Sequence, residues 1–280
     1  MTTYLRRLMV DPCPLRHVAK KVIQKLRIGS YEQRMRLGAV DRPNYAYCVY
    51  NAAVLAKRLR YQRISVLEFG VAGGNGLVNL EYHAQNVSKR LAIDIDIYGF
   101  DTGVGLPEPL DYRDLPYRYK KGFLIMDVPK LRARLKKAQL VLGDINNTSK
   151  AFLEEYSPAP IGAIMYDVDF YSSAAAALKM LEAPERYYLP RVFCYFDDII
   201  EPSCDTVSTD LTLHNDYTGE RLAINEFNQA HNDIKLAVPY HLLARWIVEQ
   251  WYHQIRVCHF FKHSRYNEFV YPEAQELPLE

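Results

Sequence analysis

The chain has 280 residues, 49% of them hydrophobic, and a formal net charge of +2, so it suits one large domain with additions. A charge this balanced requires neither nucleic acid nor an anionic membrane as partner. Cys13, Cys48, Cys194, Cys204 and Cys258 form no C-x-x-C pair, and no stretch is apolar enough for a leader or a membrane span, so the chain reads as cytoplasmic, with buried thiols.

Residues 14–27 carry Leu15, Val18, Val22, Ile23 and Leu26 at helical spacing among basic residues, which predicts an amphipathic helix free to cover a site or an oligomer partner; a homo-oligomer stays open. Asp41-Arg42-Pro43-Asn44 reads as a turn, and Tyr45–Leu59 as a helix ending in Lys57 and Arg58. These elements, 1–62, are expected to form an N-terminal helical cap on a domain of residues 63–280.

A first strand, Ile64–Phe69, breaks into Gly70-Val71-Ala72-Gly73-Gly74-Asn75-Gly76, and a helix follows over Leu77–Val87. That order brings backbone N–H groups to a ligand at the positive end of a helix. A second strand, 95–101, ends in Asp101, an acceptor for ribose hydroxyls in a βαβ nucleoside site. Glu68 suits a ligand carrying an amino group and would repel a pyrophosphate, and the glycine spacing departs from G-x-G-x-x-G.

Residues 102–121 are rich in Gly, Pro, Tyr and charge and too long for an ordinary loop; leaving the ligand edge of the sheet, they read as a lid. The basic run 130–137 reads as a solvated helix face. A third strand, Gln139–Leu142, closes on Gly143-Asp144, and a helix over 148–156 takes Thr148 as its cap. Ile161–Tyr166 and Arg191–Phe196 are strands four and five, around a helix at Ala174–Leu181. A helix at Gly219–His231 precedes candidate last strands Ile234–Val238 and Ile255–Phe261, which flank a helical stretch at 241–252. Strands alternating with helices throughout predict an α/β doubly wound, Rossmann-like sheet.

Asp167-Val168-Asp169 and Asp197-Asp198 each end an apolar strand, and adjacent strands would bring these carboxylates together beside the glycine turn. As N-caps they would account for one Asp per loop but not two. Clustered carboxylates repel unless neutralised, and a divalent cation, Mg²⁺ first and Mn²⁺ or Ca²⁺ behind it, meets that need.

The ordered strings V-L-E-F-G-V-x-x-G, Y-G-F-D-T-G-x-G-L-P-E-P, D-V-D-F-Y-S-S, F-D-D and G-x-R-x-A-I-N-E-F, spread over residues 64–238, resemble the macrocin O-methyltransferase type of class I S-adenosylmethionine-dependent methyltransferases. That family acts on sugar hydroxyls of natural products. The resemblance implies a seven-stranded sheet, S-adenosylmethionine at the glycine turn and a bound Mg²⁺. By position it implies Glu68 and Gly70 at the methionine part of the cofactor, Asp101 at the ribose and Asp144 on the adenine side, with Gly74 and Thr102 completing the cofactor set. It makes Asp167, Asp197 and Asp198 metal ligands and Asp169 the base. This chain has Val168 where the family pattern has a small residue, and 241–280 matches no part of it.

The expected reaction is methyl transfer from the sulfonium to a small-molecule hydroxyl, with Asp169 taking the proton. His231, His241, His253, His259 and His263 are alternative bases outside the strand-end cluster. Three other readings stand beside it: a glycosyltransferase using Asp167-x-Asp169 with Mn²⁺, an NAD-dependent oxidoreductase, and a non-catalytic nucleoside-binding module.

Overall fold

A computed structural model of the chain describes residues 14–200 and 215–271; Cys13 and Cys204 lie outside the described residues. Helices α1 (Pro14–Lys25), α2 (Tyr31–Arg36) and α3 (Pro43–Arg58) lead to β1 (Arg63–Phe69) and α4 (Asn75–Leu91). Then come β2 (Asp94–Asp101), α5 (Val128–Arg134), β3 (Gln139–Leu142), α6 (Ile145–Glu155), β4 (Ile161–Tyr166), α7 (Tyr171–Leu178) and β5 (Tyr188–Phe196). The chain ends with α8 (Gly219–Ala230), β6 (Ile234–Ala237), the single turn α9 (Tyr240–Leu243) and β7 (Ile255–Phe260).

The strands form one seven-stranded sheet in the order β3-β2-β1-β4-β5-β7-β6. β3, β2, β1, β4 and β5 run parallel, whereas β7 pairs antiparallel with both β5 and β6. The strands are apolar on both faces, as a sheet covered on both sides requires. One core joins Leu67, Phe69, Tyr166 and Phe196 to Phe152 of α6, Ala177 of α7 and Phe227 of α8. The other joins Val66, Ala163 and Tyr195 to Val49 and Ala53 of α3, Leu80 of α4 and Leu131 of α5.

Several boundaries differ from those expected, each for a local reason. α6 starts at Ile145 with Asp144 as its cap, accepting from Asn146 N at 2.7 Å, while Thr148 sits within the first turn and donates back to the Asp144 carbonyl. α7 starts three residues before Ala174 because a carboxylate distant in sequence, Asp114, accepts from Ser172 N at 2.8 Å. β5 starts at Tyr188 and tolerates Pro190 because its register against β4 slips there, between Ile161 and Ala163. The 241–252 stretch holds only α9 and a 3₁₀ turn at Gln250–Gln254. Arg245 ties to the Tyr252 hydroxyl at 2.9 Å and Trp251 Nε1 to Glu249 at 3.1 Å within it. Among the described residues no helix is long and apolar enough to cross a membrane.

Candidate functional site

At the C-terminal edge of the sheet the last residues of β1, β4 and β5 and the next-to-last of β2 are aromatic. Phe69 lies between Phe100 at 4.5 Å and Tyr166 at 5.6 Å, and Tyr166 stacks on Phe196 at 4.4 Å. This row faces α6, α7 and α8, so strand alternation turns the residues on either side of it to the opposite face. Glu68, Asp101, Asp167, Asp197 and Tyr195 therefore share the side occupied by the start of α3. The sequence places the acids at one edge; the pleat places them on one side of it.

Glu68 is buried, accepts from the Tyr45 hydroxyl at 2.9 Å through Oε1, and has no partner at Oε2. Burial pushes its carboxyl up to about 8. Its room comes from Gly76, where a Cβ would lie 1.9 Å from Oε1. Asp101 braces the glycine turn, its Oδ2 accepting from Val71 N at 3.0 Å and Ala72 N at 2.8 Å and its Oδ1 from Gly103 N at 2.7 Å. Gly70, at φ +85, is required by close approach, since a Cβ would stand 1.7 Å from the Asp167 carbonyl oxygen.

Oxygens of Asp167, Asp197 and Asp198 all lie within 4.8 Å of one another. Burial, then neighbouring carboxylates, raise the pKa of Asp167 and Asp198, and Oδ2 of Asp198 is buried without a partner. Tyr195 donates to the Asp197 carboxylate and Gln254 Nε2 to the Asp197 carbonyl at 2.6 Å. Beneath them Glu220 at the start of α8 is fully buried and accepts from Asp198 N at 3.0 Å and Val168 N at 3.3 Å. Two cations offset the acids in part. Arg42 sits over the Tyr45 ring at 5.0 Å within the field of Glu68 and Asp167, and Arg118 acts on Asp169 and Asp198. Seven acidic side chains, Glu68, Asp101, Asp167, Asp169, Asp197, Asp198 and Glu220, gather against two guanidinium groups, and three hard oxygen donors this close suit Mg²⁺, Mn²⁺ or Ca²⁺.

Asp169 is held in the left-handed region at φ +58 and is nearly buried. Burial raises its pKa, opposed by the Tyr119 hydroxyl and Arg118. A cavity of about 340 Å³ opens beside it. Gly70, Asp101, Thr102, Gly143, Asp144, Ile145 and Asn146 form one wall, Asp167, Val168, Asp169 and Ser172 another, and Gly105–Glu108 with Leu110 cover it. The 102–121 segment is thus seated on the cavity. Thr102 Oγ1 donates to the Gly105 carbonyl at 2.7 Å, shaping the first turn of that segment. Gly74 stands apart from the lining: it caps α4 at φ +78 with its Cα against Leu131. Glu68, Asp197 and Asp198 sit behind the lining at the acid edge.

Sequence reasoning missed Arg42, read as a turn residue, and Glu220, an unassigned position inside G-x-R-x-A-I-N-E-F. It also missed Tyr45, Tyr195, Asp114 and Tyr119. The one available signal was Glu220, an acid at a helix start directly after Gly219.

No family model and no curated protein matches the chain. Among solved structures it is similar to the calicheamicin methyltransferase CalS11, at 18% identity and a TM-score of 0.50 over 92% of this chain and 91% of that one. It is also similar to the O-methyltransferase NovP, at 11% identity and a TM-score of 0.50 over 78% of this chain and 79% of that one. At these identities the likeness establishes the fold, and this chain has the seven-stranded class I methyltransferase fold.

Proposed function

We propose that the protein is an S-adenosylmethionine-dependent O-methyltransferase acting on a hydroxyl of a small molecule, a sugar or glycosylated natural product, with a divalent cation, Mg²⁺ first, at Asp167, Asp197 and Asp198. One observation carries the reading: among the described residues Oε2 of Glu68 and Oδ2 of Asp198 are buried without partners, on an edge already crowded with acids. Unpaired buried acceptors are costly, and an ammonium group at Glu68 and a metal ion at Asp198 are what would complete them. CalS11 is a methyltransferase and NovP an O-methyltransferase, which supports the same chemistry on this fold.

When bound, the cofactor would supply an electrophilic methyl group and the cation would lower the pKa of the acceptor hydroxyl. The chain's own groups divide the remaining work. Glu68 would hold the cofactor's amino group. Asp101, already fixed by three backbone donors, has one acceptor site left, on Oδ1, for a ribose hydroxyl. Residues 143–146 would flank the base, and the seated lid would keep water out. Asp169 would accept the proton from the acceptor hydroxyl as the methyl arrives.

Calorimetric titration with S-adenosylhomocysteine should give saturable binding. Against a panel of sugar-hydroxyl acceptors, Asp198→Asn should lower the rate in a way that excess Mg²⁺ partly restores. Asp169→Asn should leave cofactor and metal binding nearly intact and lower the chemical step about 10²–10⁴-fold without metal rescue, the usual share of a positioned base. Methyl transfer at full rate after exhaustive chelation would overturn the metal assignment.

A further inference from the structure

The lid does more than cover the cavity: it grips the loop that carries Asp169. Three of its residues account for the four consecutive residues that follow Val168. Arg113 lies 4.3 Å from the centre of the Tyr171 ring. Asp114, buried although charged, accepts from Ser172 N at 2.8 Å and Ser172 Oγ at 2.9 Å, and also from Leu110 N at 2.9 Å within the lid. Tyr119 places its hydroxyl beside the Asp169 carboxylate and sets its ring edge-on to Phe170 at 6.0 Å.

Asp169 needs such a hold. A non-glycine residue at φ +58 is strained unless its surroundings fix it, and the Phe170 N to Val168 O contact of 2.5 Å marks a tight turn at the same place. A carboxylate on a short side chain can turn about its Cα–Cβ and Cβ–Cγ bonds. A hydrogen bond from a phenol restricts that freedom.

We propose that Tyr119 is a positioning residue for Asp169: the lid, latched by Asp114 onto Ser172, delivers the Tyr119 hydroxyl to the carboxylate and fixes the orientation of the base. Seating the lid then assembles the base as well as excluding water, so covering the cavity and readiness for proton transfer are one event. The proposal rests on the reading of Asp169 as the base.

Tyr119→Phe keeps the ring on Phe170 and removes only the donor. With an acceptor from the sugar-hydroxyl panel it should lower kcat about 10–100-fold while acceptor KM and S-adenosylhomocysteine affinity stay within about threefold, the pattern of a mispositioned group. In an Asp169→Asn background the same change should cost nothing further, because Tyr119 acts through that carboxylate. Wild-type kcat in Tyr119→Phe, or equal losses in both backgrounds, overturns the proposal. If Asp169→Asn keeps the wild-type kcat, the base assignment falls and this proposal falls with it; loss in Asp169→Asn with none in Tyr119→Phe removes the proposal alone. Hydrogen exchange in the ligand-free chain reads the contact without any acceptor. Protection of residues 169–172 should drop several-fold in Tyr119→Phe and in Asp114→Asn, and unchanged protection in both variants also overturns it.

Discussion

Two glycines of the same turn do different work. At Gly70 an added Cβ would meet backbone, the Asp167 carbonyl oxygen at 1.7 Å, in a conformation side chains rarely adopt. At Gly76 it would meet the far end of a side chain, Glu68 Oε1 at 1.9 Å. Gly70→Ala should therefore destabilise the protein by about 2–5 kcal/mol in urea unfolding, from strain and forced separation of the β1 and β4 ends. Gly76→Ala should unfold nearly as the parent does but bind S-adenosylhomocysteine more weakly, because the Glu68 carboxylate must swing away. Equal stability losses in the two variants would contradict this division. The gathering of Glu68, Asp167, Asp197 and Asp198 at one edge was legible in the sequence because an acid after an apolar run sits at a strand end. The groups that answer them were not. Arg42, Tyr195 and Glu220 come from three separate elements, and only the sheet's pleat and the start of α8 decide that they face those acids.

At the level of elements, β7 carries more of the fold than its place near the end of the chain suggests. It lies between β5 and β6 and bonds both, with Val192 opposite Cys258 on one side and Leu236 opposite Cys258 on the other. A chain ended at residue 254 would leave β6 without its partner and β5 with a bare, apolar edge, and should lose cooperative unfolding and aggregate. Loss of the tie between α1 and the C-terminal stretch should be mild, about 1 kcal/mol or less in Glu249→Gln. α1 leaves Leu15 exposed and is joined to that stretch by Arg16 and Lys20 on Glu249, partly exposed ion pairs of small value. Thermal melts of the truncation and of Glu249→Gln check both outcomes. The parallel strands were legible because each is a short apolar run bounded by glycine or aspartate. The insertion of β7 between its predecessors was not, since residue pattern fixes a strand's faces and leaves its neighbours open. The early start of α7 was hidden for a similar reason, its cap being a carboxylate 58 residues away in sequence.

For the whole molecule, the acid edge makes stability depend on pH in a direction that a cation should reverse. The Glu68 carboxyl is raised by burial to about 8, and Asp167, Asp169, Asp198 and Glu220 are raised as well, by burial first. A carboxyl whose folded pKa exceeds its unfolded one binds more protons when folded. Its favourable share is complete below the unfolded value near 4.5 and is lost as pH rises through the folded value. Buried His83, between the Tyr31 hydroxyl and the Asp41 carbonyl, works in the opposite sense. Burial lowers it to about 4, so its share is present above 6.5 and lost as pH falls through that interval. Below pH 6.5 the His83 gain offsets one of these carboxyl losses and above it the losses run unopposed, so ligand-free protein should weaken as pH rises, most steeply above pH 6.5. Between pH 6.5 and 8 the loss from Glu68 alone reaches at most about 2 kcal/mol, at 1.36 kcal/mol per pH unit per proton. Glu68→Gln should flatten the fall above pH 6.5, and His83→Gln should steepen it below. Mg²⁺ competes with protons for the same oxygens, so its stabilising shift in Tm should be larger at pH 8 than at pH 6. Urea unfolding across pH with and without 10-fold steps of Mg²⁺ tests the sign directly. A metal-induced shift equal at both pH values would mean that the ion binds away from the buried carboxylates and that the surplus charge on this edge is met by something else.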